Sequence, residues 1–206
     1  MEFNGFTQDD FNVFSIDGLE ARMEALITRV RPKLTWLGEH YAPILSEMAG
    51  RDMFAHVAKH ARRTKNPPND TWVAISGNRR GYKMMPHFQI GLWETHLFIW
   101  FAVIYECQEK PQIGENFQKH LGDILSGIPN NFVWSEDHMK PGAIMHGSLS
   151  AEELNESFQR LKDVKKAEIL CGCHFDRDEV VKMGPSELLQ HFDGVFRQIL
   201  PLYKLT

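Results

Sequence analysis

A chain of 206 residues with 43% hydrophobic content can bury a sizeable core, and no Gly/Ser-rich, Pro-rich or low-complexity tract marks a linker, so a single domain over residues 1–206 is expected. The longest apolar run is nine residues, Leu97 to Tyr105, against the roughly 20 needed to span a membrane. A net charge of −4 works against nonspecific association with nucleic acid, and three cysteines supply no disulfide framework and fit a reducing cytoplasm.

In chain order, the N-terminal MEFNGFTQDDF carries acids and no basic stretch before an apolar core, so no signal peptide is expected. Phe11, Val13 and Ser15 alternate with their neighbours and predict a short first strand. Asp17 with Glu20 has the capping-box spacing that starts a helix, and Leu19, Met23, Leu26, Val30, Leu34, Leu37 and Tyr41 continue one apolar stripe. Pro32 predicts a kink or break, and Pro43 predicts a separate short helix ending at Gly50. Four strands follow, over 54–60, 71–76, 88–94 and 97–105, separated by the rigid turn Asn66-Pro67-Pro68-Asn69-Asp70 and the hairpin loop Gly77-Asn78-Arg79-Arg80-Gly81. The last of them is apolar on both faces and rich in aromatic and β-branched residues, which predicts a central strand covered on each side.

Helices dominate the remainder. Phe117, Leu121, Ile124, Leu125 and Ile128 mark one helix, Phe132–Ser135 a short strand, and 138–147 a loop. Ser150 with Glu153 is a second capping box, Ala167–Phe175 a strand interrupted by Gly172, and Pro185 opens a last helix. The order is β-α-β-β-β-β-α followed by β-α-β-α. Consecutive hairpin strands followed by helices predict an α+β fold, a largely antiparallel sheet covered by helices.

Charge is concentrated. From Lys59 to Lys83 there are seven basic residues (Lys59, Arg62, Arg63, Lys65, Arg79, Arg80, Lys83) and one acid, Asp70, in a chain that is acidic overall. Arginine forks bind phosphate bidentately, and Trp72 and Tyr82 could stack on bases, so the stretch suits a nucleotide or nucleic-acid strand. It contains no P-loop, no GxGxxG and no RNA-binding signature. The plainer alternative is that basic residues solubilise hairpin loops and guard strand edges, with Trp72 and Trp93 in the core.

Two further constellations stand out. His56 and His60 share a face, and with His87, Glu94 and His96 they could form an enzyme's cleft between sheet and helix, with or without a metal. No HExxH or paired-cysteine spacing supports that, so neither a metal nor a cofactor is assigned. Cys171-Gly172-Cys173-His174 offers too few local ligands for a zinc site and reads better as small residues where a helix packs closely on a strand.

The run AKHARRTKNPPNDTWVAISGNRRGYKMMPHFQIGLWETHLFIWFAVIYE, with the later SEDHMKP, VKKAEILCG and ILPLYK, resembles the YktB-like family of uncharacterised bacterial proteins. The resemblance spans nearly the whole chain and implies a cytoplasmic α+β domain with helices on a largely antiparallel sheet. It implies no reaction and no site residues. The leading expectation is therefore an anion-binding protein using the basic loops, with the histidine enzyme and a protein-interaction module as alternatives.

Overall fold

The computed structural model describes residues 2–206. Its frame is one seven-stranded sheet, fully antiparallel, in the order β1-β2-β3-β4-β7-β5-β6. The strands are β1 (Phe54–Val57), β2 (Asp70–Ser76), β3 (His87–Trp93), β4 (His96–Val103), β5 (Val133–Ser135), β6 (Ile144–Met145) and β7 (Ile169–Asp176). The hairpins β1 to β4 follow the chain. The chain then leaves the sheet for α4 (Lys110–Lys119) and α5 (Leu121–Gly127), forms β5 and β6, and crosses α6 (Ala151–Asp163) before β7 inserts between β4 and β5. The fold is α+β, as expected.

Alternation along the strands builds two different faces. One carries Val73, Ile75, Phe88, Ile90, Leu92, Leu97, Ile99, Phe101 and Val103, packed beneath α3 (Arg31–Ala49) and α8 (Pro185–Lys204) through Leu34, Tyr41, Phe192 and Phe196. The other carries Trp93, Phe98, Trp100, Ala102, Val133 and Leu170 as a separate apolar cluster, with Trp72, Tyr82 and Ala143 packed on it. Tyr82 and Ala143 belong to the loops after β2 and β5, so loops cover this second face. β4 is buried at every position, as its two-sided apolar pattern predicted.

Several expectations need correction. Phe11–Ser15 is helical, split between α1 (Gln8–Asn12) and a 3₁₀ turn (Val13–Ser15). Thr7 N–H and Oγ1–H both donate to Asp10, at 2.7 and 3.0 Å, and Lys33 pairs with the same buried carboxylate, so a contact distant in sequence pins the segment. Neither proline divides the long helix. After α2 (Leu19–Ala25) a π turn over Leu26–Val30 leads directly into α3, with Pro32 in its first turn. The wider turn accommodates the ring and its missing donor. Pro43 lies inside α3 on its exposed side, where water can satisfy the carbonyl left without an amide. The expected single helix around Phe117–Ile128 is two, and the loop after β5 contains β6. A short α7 (Arg177–Val180) follows β7.

Candidate functional site

At the β1–β2 end of the sheet, a groove of about 400 Å³ opens between two loops. Its wall includes Lys59, His60, Arg62 and Arg63 from the loop after β1, Trp72 from β2, and Tyr82 and Lys83 from the loop after β2. The two rings are tied together, because Trp72 Nε1–H donates to Tyr82 Oη at 3.1 Å. Burial pushes the Tyr82 phenol up to about 12, so this hydroxyl stays protonated at neutral pH. No carboxylate lines the groove. Arg63 donates to the Asn66 and Pro67 carbonyls, which anchors it, and Lys83 reaches Glu106 at 3.1 Å across an exposed pair. Arg62 is exposed.

Other members of the basic stretch lie elsewhere. Arg79 places its guanidinium 5.0 Å from the centre of the Phe54 ring, while Arg80 spends its backbone N–H on Asn78 Oδ1 in a tight turn. Lys65 is exposed beyond the groove wall.

The histidines divide. His60 stands on the groove wall at φ +51°, a left-handed conformation that side chains with a Cβ adopt at a cost, and Nε2 contacts Thr71 Oγ1 at 3.1 Å. His56 packs 6.0 Å from the Tyr82 ring and donates to the Asn78 carbonyl at 2.8 Å. His87 packs edge-on to Tyr82 at 4.8 Å; its Nδ1–H donates to Met85 O and its Nε2 accepts from the Gln89 amide. Both ring nitrogens of the buried His87 are thus committed, and burial lowers its pKa to about 4. Glu94 and His96 are not part of this group. Glu94, in the β3–β4 turn, accepts from Ser15, and His96 packs against His174 with centroids 3.9 Å apart. Cys171 and Cys173 are buried on the helix-covered face, and burial raises both thiols, Cys173 to about 12, which leaves no thiolate for chemistry at neutral pH.

A second cavity, of about 470 Å³, lies under the loop after β5. There the buried Glu168 carboxylate accepts from Tyr105 N–H at 3.2 Å, His138 N–H at 2.9 Å and His138 Nδ1 at 2.7 Å. Asp137, His138 and Glu168 each bring a potential ligand atom within 4.8 Å of the other two. Hydrogen bonds already use those atoms: Asp137 accepts from Met139 N–H and pairs with Lys140, and His138 Nδ1 faces Glu168. Sequence reasoning missed this pair. A histidine in a loop and a glutamate just ahead of a strand, 30 residues later, carry no spacing that would single them out.

The family model described as "Domain of unknown function (DUF1054)" matches residues 6–203. The chain belongs to that family. DUF1054 relatives include a UPF0637 protein of Bacillus licheniformis, 53% identical over 98% of this chain and 95% of its own length. Others are UPF0637 proteins of Bacillus velezensis, 52% identical over 98% and 96%, and Bacillus mycoides, 51% identical over 100% and 99%. These full-length matches agree with the resemblance read from the sequence, and none of the names assigns an activity. A conserved hypothetical protein from Pyrococcus furiosus aligns over 90% of this chain and 99% of its own at 10% identity, with a TM-score of 0.44.

Proposed function

We propose that the protein binds an anionic ligand bearing a flat ring, a nucleotide or a single nucleic-acid strand, in the groove between the loops after β1 and β2. The observation that carries this reading is a groove wall where Lys59, Arg62, Arg63 and Lys83 meet the linked rings of Trp72 and Tyr82 with no carboxylate among them. Cations track phosphates while a ring offers a face to a base, the combination that tolerates any sequence. The same reading takes the chain as one domain working in the cytoplasm, supported by one continuous sheet and by three free, buried cysteines. Among the described residues no helix is long and apolar enough to cross a membrane.

The test is a titration of a short fluorescent oligonucleotide at several salt concentrations. Four cations contacting four phosphates of a single strand give a slope of log K against log salt near −2.8, at about −0.7 per phosphate. Replacing Arg62 and Lys83 with alanine should flatten that slope by about 1.4 and leave thermal stability nearly unchanged, since both side chains are exposed. Trp72→Ala should weaken binding without changing the slope. No binding at low salt, together with no nucleotide-dependent shift in melting temperature, overturns the proposal.

A further inference from the structure

The His138–Glu168 pair is built more carefully than a loop anchor requires. Glu168 is 5% exposed, and both its oxygens already accept backbone N–H groups, from Tyr105 and from His138 itself. The imidazole adds a third bond, Nδ1–H to Oε2 at 2.7 Å. That bond fixes the tautomer, with the proton on Nδ1 and the lone pair on Nε2. Among the described residues Nε2 has no hydrogen-bond partner and is not enclosed, and His138 lines the cavity together with Tyr105, Lys140, Arg160 and Lys166. Burial pulls the imidazole pKa down, but the Glu168 hydrogen bond and charge, with Asp70 and Glu106, outweigh it and leave the pKa raised. A histidine oriented by a fixed carboxylate, with its other nitrogen open to a cavity, is equipped to take a proton.

One ion pair links the basic groove to the segment that lines this cavity. Lys83 on the groove wall pairs with Glu106, the residue after Tyr105. That pair marks the route by which a strand seated on Trp72 and Tyr82 would extend past Lys83 toward Tyr105 and His138.

We propose that His138, positioned by Glu168, is the general base of a phosphodiester-hydrolysing site acting on the strand held in the groove. Water attacks phosphorus, its proton passes to His138 Nε2, and the bond from phosphorus to the leaving oxygen breaks. The leaving oxygen takes the electron pair and then a proton, from the His138 imidazolium or solvent, and the products are a phosphomonoester and an alcohol. The substrate class rests on the groove reading; the base and its carboxylate do not.

The probe is thymidine 5′-(p-nitrophenyl phosphate), whose hydrolysis releases p-nitrophenolate. His138→Gln, with His138→Asn as a second replacement should the first fold poorly, should lower kcat at least 100-fold. Glu168→Gln should lower it about tenfold and move the rising limb of the kcat pH profile to lower pH, because loss of the carboxylate lowers the imidazole pKa. Glu168→Asp should restore part of both. Arg62→Ala/Lys83→Ala should raise KM more than it lowers kcat. Wild-type protein that binds oligonucleotide but releases no p-nitrophenolate above buffer overturns the base and leaves the groove standing. So does turnover that persists in His138→Gln and His138→Asn. Turnover lost in the His138 variants, with KM unmoved by the groove double variant and no oligonucleotide bound, upholds the base and removes the groove.

Discussion

The histidines show how far one residue type can diverge within a single sheet. His138 gains a carboxylate and its pKa rises, whereas His60, His87 and His96 are lowered to about 4 and His174 to about 3, burial being the largest cause in each. In those four the folded pKa lies below the unfolded value of 6.5, so the unfolded chain takes up protons first as the pH falls. Their stabilisation is complete above pH 6.5 and drains away as the pH drops toward 4. Asp70 opposes this, because burial raises its carboxyl to about 6 and its buried charge is relieved by acid. His138, whose raised pKa also favours the folded chain as the pH falls, joins Asp70 on this side; four groups outweigh these two, so urea midpoints measured at pH 7.5, 5.5 and 4.5 should fall in that order, and a flat profile contradicts the burial of these rings. Gly172 gives a second test at this scale. A Cβ there would stand 1.8 Å from the Ile99 carbonyl oxygen, in the backbone of β4, which cannot move aside as a side chain could. Gly172→Ala should cost about 3 kcal/mol or more. Gly142→Ala, with open space around it, should stay within about 0.5 kcal/mol of wild type in the same denaturant melts.

Among the elements, β4 and α3 respond oppositely to substitution. Ile99 and Val103 of β4 lie on the helix-covered face with no exposed surface, and lysine at either places a charge with no route to water. The expected loss is several kcal/mol, a large part of a domain's stability, and unchanged melting would remove β4 from the core. Pro43 is the reverse case. It occupies α3 although its ring withholds a helical hydrogen bond, because the apolar stripe of Leu34, Leu37, Tyr41 and Leu45 holds the helix on the sheet. Pro43→Ala restores that bond. The gain should be about 1–2 kcal/mol, once the greater freedom of the unfolded chain is subtracted from the roughly 3 kcal/mol cost of an interior proline. A lower melting temperature for this variant would mean that the proline shapes the helix in a way the packing needs.

On the scale of the molecule, one sheet runs from Phe54 to Asp176, and the N-terminal and C-terminal helices pack on the same face of it. Tyr41 near the middle of α3 donates its hydroxyl to Leu189 O at 3.1 Å and lies against Phe192 and Phe196, so the two ends of the chain share one core. Consistent with the proposed single domain, calorimetric and fluorescence melting curves should coincide in one transition. Two resolved transitions would divide the chain.

What the sequence determined was what repetition can encode. Turn residues bounded β2, the alternation of Phe88, Ile90 and Leu92 with their neighbours placed β3, and the two-sided apolar run marked β4 as central. The Ser150–Glu153 capping box closed as read, with Glu153 N–H on Ser150 Oγ at 3.2 Å and Ser150 N–H on the Glu153 carboxylate at 2.8 Å. The basic stretch was visible as charge, because clustering is a linear property. Tertiary structure decided what depends on contacts between distant segments. Asp10 and Lys33 turned a five-residue alternation into helix, since so short a pattern fits either periodicity and the ion pair settles it. Loop geometry left Lys59, Arg62, Arg63 and Lys83 on the groove wall and sent Lys65, Arg79 and Arg80 outside it. The meeting of His138 with Glu168 depends on β7 inserting beside β4 after an excursion through α4, α5, β5, β6 and α6, a juxtaposition set by strand order and by no local pattern.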